Sequence, residues 1–237
     1  MAPGLISMTK RNPYWALIAA TSGLTAVTAL SLIWPEAKAR AYANRPPASI
    51  VLDFTFNSPE LIVPMSTVTQ VRQLSSCDDI LATDLAITAS VDTIEDIANA
   101  CSELAGRILH GTPTLSIAHL VRSWGFRAQG LTEQAKVSLL AAHLTAPNEG
   151  WLAARRLRLF FEIGVTANKD LHHAAQQDAM VVLQDSAYHS LLPELYLSYP
   201  ESRFWLQNAL SDAEPRHLRR FVYLTNASLS TPGGARE

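Results

Sequence analysis

The fold is decided by the stretch from Gly130 to Pro147, which reads GLTEQAKVSLLAAHLTAP. Gly130 allows the backbone conformation of a tight turn between two helices. Ala135 and Ala142 are seven residues apart, so they lie on one helix face, where small side chains let a neighbouring helix approach closely. Leu139 lies between them to fill the groove, and Pro147 ends the helix. The stretch predicts one half of a closely packed helical hairpin.

This spacing resembles the second helix of a tetratricopeptide repeat. Upstream, Ser123 and Phe126 fall where the family's first helix has a small and an aromatic residue, although Arg122 departs from the family's Leu. Trp151 begins the next helix, about two residues from the family's Trp position. One repeat cannot bury its own faces, so the resemblance implies degenerate helix pairs across residues 77–185. An unrelated helical hairpin with the same spacing is the alternative.

The resemblance also carries a functional implication. Tetratricopeptide repeats bind peptides or proteins on a concave face and generally have no catalytic residues. We therefore expect a protein partner and no cofactor.

Helical periodicity continues over most of the remaining chain. Apolar residues recur every three or four positions over residues 67–229, in segments of 10–18 residues that become shorter and more aromatic toward the end. The pattern predicts an all-α fold with a helical-hairpin domain over 67–229 and a disordered tail over 230–237. Residues 35–66 are predicted to form a tether followed by an extended segment, because apolar side chains alternate from Ile50 to Phe56.

An uncharged apolar run covers residues 15–34, with Trp15 and Trp34 at its ends. Twenty helical residues span about 30 Å, which matches the core of a bilayer. Indole rings favour the membrane interface, so the two tryptophans are candidate anchors. We expect a single-pass helix in the inner membrane, with residues 1–14 in the cytoplasm and the residues after the helix in the periplasm.

A cleaved secretory signal is the competing interpretation of the same segment. Lys10 and Arg11 supply a basic start, and small residues at the positions ending in Ala39 and Ala43 have the form of cleavage sites. The apolar run is longer than a signal's usual 7–15 residues, which favours a retained anchor. Charge does not settle the orientation, because basic residues after the run outnumber those before it.

Two cysteines, Cys77 and Cys101, both lie in the part that would be exported. An oxidising compartment would allow a disulfide between them. Two buried free thiols are the alternative. Their separation, with no His or Cys at ligand spacing, argues against a zinc site.

The charges indicate what kind of partner to expect. After Pro35 the chain has 17 basic and 21 acidic residues, a net charge of −4, which is too mild to indicate nucleic acid. Arg155 and Arg158 are spaced as neighbours on one helix, as are Arg216 and Arg220 on another. Guanidinium groups suit carboxylates and phosphates, so these four are candidate contacts to an anionic glycan, a lipid headgroup or an acidic protein. A solvated surface is the alternative for both pairs.

No catalytic or metal-binding constellation is apparent. His172 and His173 diverge by about 100° on a helix and cannot readily share a metal. The acidic pair at Asp78 and Asp79 is interpreted as helix capping. The chain also lacks a GxSxG elbow, a phosphate loop and a dinucleotide fingerprint.

These features favour a non-catalytic, membrane-tethered periplasmic scaffold that assists an envelope assembly machine. Surface polysaccharide synthesis or export is the first candidate for that machine. A single-pass accessory subunit of a larger integral membrane complex is the alternative. A third hypothesis, a helical hydrolase or lyase with an unrecognised site, stays open.

Overall fold

A computed structural model describes residues 13–57, 59–82, 89–164 and 169–230. Within these ranges every regular element is a helix, as the periodicity predicted. The elements are α1 Pro13–Ala43, α2 Pro47–Asn57, α3 Thr67–Leu81, α4 Val91–Gly111, α5 Ser116–Ala128, α6 Thr132–Thr145, α7 Gly150–Ile163, α8 Lys169–Gln184, α9 Leu191–Ser198, a 3₁₀ turn Pro200–Ser202, α10 Arg203–Ala209 and α11 Pro215–Ser230.

Helix α1 contains a segment, Leu17–Ala43, that is long and apolar enough to cross a membrane. Among the described residues, nothing buries the most apolar part of this segment. Four of its hydroxyl groups have partners within the helix, because those of Thr21, Thr25, Thr28 and Ser31 donate to carbonyls three or four residues earlier. Trp34 is exposed at one end, whereas the side chain of Trp15 and residues 1–12 lie outside the described part.

The expectation of a tether and an extended segment over 35–66 is wrong for much of that range. Helix α1 continues to Ala43, and it buries Ala39 and Ala43 where it packs against α3. The alternating segment forms helix α2, in which Ile50 and Phe54 are buried. Those two residues are four positions apart, so one sequence satisfies both a strand period and a helix period, and packing against α3 and α4 decides for the helix.

The hairpin of α5 and α6 follows the sequence pattern closely. Gly130 has a φ of 72°, and the N–H groups of Gly130 and Leu131 donate to the carbonyls of Arg127 and Phe126. This pattern is the Schellman motif, which requires a left-handed residue and therefore favours glycine. Pro147 lies just beyond the end of α6, as predicted.

The two helices approach so closely that side chains of α5 bond to the backbone of α6. Ser123 donates to the carbonyl of Ala135, and Ser116 donates to the carbonyl of Ala142, both at 2.6 Å. The serines are seven residues apart, as are the alanines, so the contacts repeat along an antiparallel pair. Both alanines and Leu139 are buried. Small residues on the facing surfaces are what make this distance possible.

Successive helices from α4 to α8 pack against their chain neighbours, and α3 also packs on α5 and α6 on α8. Close approach recurs between α4 and α5, where a Cβ added at Gly125 would lie 2.4 Å from the Cβ of Ser102. This order of contacts is compatible with stacked helical hairpins, and the tetratricopeptide-like arrangement itself stays a prediction.

The structure brings Cys77 on α3 and Cys101 on α4 to disulfide distance, with Cα atoms 5.9 Å apart. A disulfide there links α3, which contacts α1, to α4, the first of the successively packed helices. At the other end of the chain Ser230 is the last residue of α11, and residues 231–237 of the expected tail lie outside the described part.

Candidate partner-binding site

Arg155 and Arg158 both line a cleft of about 530 Å³ between α3, α7 and the segment leading into α9. The Arg155 guanidinium forms ion pairs with Asp78 and, at 2.8 Å, with Asp79. Arg158 lies 3.7 Å from Glu194. The cleft therefore holds two guanidinium groups and three carboxylates. These carboxylates pair with the two arginines that were expected to contact an anionic partner and neutralise their positive charge.

Asp78 is the buried centre of this arrangement. It lies in the last turn of α3, so the expectation that it caps a helix N-terminus is wrong. Its carboxylate accepts from the Trp124 indole N–H at 2.9 Å and from Arg155. Burial raises the pKa of the Asp78 carboxyl above its ordinary value, and Arg155 and the indole N–H oppose that rise. Asp78 thus joins α3, α5 and α7, which is a structural role.

A second ionic group lies in the core and was not anticipated from the sequence. Arg156 is only 1% exposed and donates to both carboxylate oxygens of Asp178, at 2.6 and 2.8 Å. Asp178 also contacts the His143 ring at 3.1 Å. A usable signal existed: Leu152, Arg156 and Phe160 are spaced four apart, which places the arginine on the apolar face of α7. Its fork-like pairing satisfies the buried charge.

An apolar groove of about 480 Å³ lies between α9, α10 and α11. Tyr196 and Phe221 meet edge-on in it, with ring centroids 5.7 Å apart. Leu210 is buried at its base, whereas Val222 and Leu229 are 53% and 68% exposed. Contiguous apolar surface that remains open to solvent is typical of interaction sites, which makes this groove the candidate partner-binding surface.

Basic residues accompany this groove. Arg203 donates to the Tyr196 carbonyl at 2.9 Å and covers the Tyr196 ring. Helix α11 has three arginines and no acidic residue. Arg216 pairs with Glu214 at 2.6 Å, whereas Arg219 and Arg220 are exposed and form no ion pair within 4.0 Å to a described residue. Arg216 and Arg220 thus belong to α11, and neither lines the cleft of Arg155 and Arg158 or the groove itself.

The remaining aromatic and histidine candidates mostly have packing roles. Trp205 lies against Phe160 and Phe161, with centroids 4.8 and 5.6 Å away, and His172 packs edge-on against Phe160. His173 is exposed and contacts Gln177. In the part of the chain that the structure describes, no three His, Cys, Asp or Glu side chains converge as a metal site requires.

No protein-family model, curated protein or solved structure matches this chain. No family membership therefore follows from these comparisons.

Proposed function

We propose that this protein is a non-catalytic scaffold that is anchored in a membrane by α1 and holds a partner protein against its helical domain. The observation that carries the proposal is the continuity of α1. The same helix contains the apolar span and packs into the domain. The domain is therefore joined to the anchor by a continuous helix rather than by a flexible linker.

Both apolar and polar contacts attach α1 to the start of α3. Glu36 follows Pro35 inside α1, and its carboxylate accepts from the N–H groups of Met65 and Ser66 and from the hydroxyls of Ser66 and Thr69. These donors surround the first turn of α3, where a carboxylate is favoured by the helix dipole. Such an attachment supports a role in which the domain's position at the membrane matters.

The same contacts support a retained anchor over a cleaved signal. Cleavage after Ala39 or Ala43 would remove Glu36, and it would cut α1 where those alanines pack on α3. Intact-mass measurement of protein extracted from membranes tests this point. Full-length mass is expected, and a mature N-terminus at Arg40 or Asn44 would refute the anchor.

We place the domain in the periplasm and its partner among envelope assembly proteins, with surface polysaccharide synthesis or export as the first candidate. Oxidation of the cysteine pair fits that compartment. The test is affinity capture of the full chain from detergent-solubilised membranes, followed by mass spectrometry. Recovery of glycosyltransferase or polymerase subunits supports the proposal, and recovery of the chain alone after mild crosslinking refutes it.

The accessory-subunit alternative is favoured by one feature of α1. Ala19, Gly23 and Ala26 lie on one exposed face, and small residues there permit another membrane helix to approach closely. Gly23→Leu is expected to disrupt the complex if α1 packs on a second membrane helix. Thr28→Leu, on the opposite face, is the matched control, and equal complex recovery from both variants would leave α1 as a simple anchor.

A further inference from the structure

We infer that the groove between α9, α10 and α11 binds an apolar helix of a partner protein that has acidic residues along its flank. This inference rests on the proposed scaffold function and names the surface and the chemistry of the partner.

The shape of the groove indicates a helical occupant. Its lining on α11 recurs at helical spacing from Leu218 through Phe221, Val222 and Thr225 to Leu229. At 1.5 Å per residue these eleven steps extend about 16 Å, or roughly three helical turns. A groove of that length, lined mainly by apolar side chains, fits an amphipathic helix with anchors at three- and four-residue spacing.

The exposure along α11 indicates that this face lacks its cover. Thr225 is the one buried residue of α11. Leu218 and Phe221 on the groove side are half-buried against the core, and the apolar residues of that side nearer the end of the helix are not. An amphipathic helix normally turns such a face toward a core. Here Val222 and Leu229 remain mostly exposed, and a further helix packed on this face of α11 would bury them.

The positive charge at the rim of the groove favours one kind of partner helix. Arg219 lies three residues before Val222 and seven before Asn226, both of which line the groove, so it stands at the rim of the groove. Arg203 stands at another point of the rim, against Tyr196. Guanidinium groups beside the apolar groove favour carboxylate side chains on the flank of the incoming helix and disfavour basic side chains there.

A matched pair of positions on α11 makes the assignment testable. Leu229 lines the groove, whereas Tyr223 is 71% exposed and lies outside it. A photoreactive amino acid is introduced at each position in the full chain in native membranes, and the crosslinked peptides are sequenced by mass spectrometry. Position 229 is expected to yield a partner peptide with apolar residues at helical spacing and Asp or Glu beside them, and position 223 is not.

The charge argument has its own control. Arg219→Glu, at the rim, is expected to lower the crosslinking yield from position 229 by about two- to fivefold, which corresponds to an exposed ion pair. Arg220→Glu makes the same charge change outside the groove and is expected to leave the yield unchanged. Equal effects of the two substitutions would overturn the inference.

Other occupants give distinguishable results. Adducts to a second copy of this chain, to lipid alone, or to a basic peptide would each overturn the inference. If the tagged chain still retains a protein partner while position 229 gives no adduct to it, the groove assignment falls and the scaffold function stands. If no partner is retained by any route, both fall.

Discussion

Replacing Ala135 or Ala142 with Leu is expected to destabilise the α5–α6 hairpin. Both alanines are fully buried, and their carbonyl oxygens accept 2.6 Å hydrogen bonds from Ser123 and Ser116 on the facing helix. A Leu side chain at either position needs space that the backbone of α5 and its side chains occupy. The two helices would have to move apart, and the serine hydroxyl would lose its acceptor.

The magnitude follows from these two effects. Overpacking a close-packed interface typically costs about 1–3 kcal/mol. Loss of one buried hydrogen bond adds about 0.5–1.5 kcal/mol. Together they give a destabilisation of about 2–4 kcal/mol for each variant. In a domain of this size that corresponds to a fall in Tm of roughly 4–16 °C.

Thermal and urea unfolding of the full chain in detergent, followed by far-UV circular dichroism, measures the effect. Gln134→Leu is the matched control, because it introduces the same side chain at an exposed position of α6. Its cost is expected to stay within about 0.5 kcal/mol. Lys136 would be a poorer control, since its side chain is only 11% exposed and pairs with Glu133. If both alanine variants melt with the parent, the close-packed hairpin and the repeat interpretation built on it are wrong.

Three further outcomes follow from other parts of the structure. Reduction of the Cys77–Cys101 pair is expected to lower stability by about 3 kcal/mol for a loop of this length, measured as a fall in Tm; alkylation of both thiols without prior reduction would refute the bridge. Asp178→Ala is expected to cost about 3–5 kcal/mol in urea unfolding, because it leaves the buried Arg156 charge unpaired, whereas the double variant Arg156→Met with Asp178→Leu recovers most of that loss; a mild effect of the single change would contradict the buried pair. Glu36→Ala is expected to loosen α1 from α3, seen as faster amide exchange in the first turn of α3, with exposed Lys38→Ala as a control that leaves exchange unchanged.

Several features follow from the sequence alone because their causes are local. Helical periodicity is a property of successive residues, so the all-α class of the described residues could be predicted. The turn at Gly130 depends on one residue's access to positive φ, and the close approach at Ala135 and Ala142 depends on their small size at seven-residue spacing. The apolar run before Trp34 determines a helix able to cross a membrane, since length and the absence of charge suffice.

The tertiary structure alone decided which residues meet. Arg155 pairs with Asp78, 77 positions earlier, and this partner turned an expected anion contact into an internal ion pair. Ile50–Phe56 is helical because α3 and α4 offer its four-residue spacing a surface to pack on, which no local pattern can indicate. The groove exists because the short helices α9 and α10 converge on α11 without covering its apolar side. Each of these outcomes depends on how helices cross, and crossing geometry is set by the fit of whole faces rather than by the spacing within one helix.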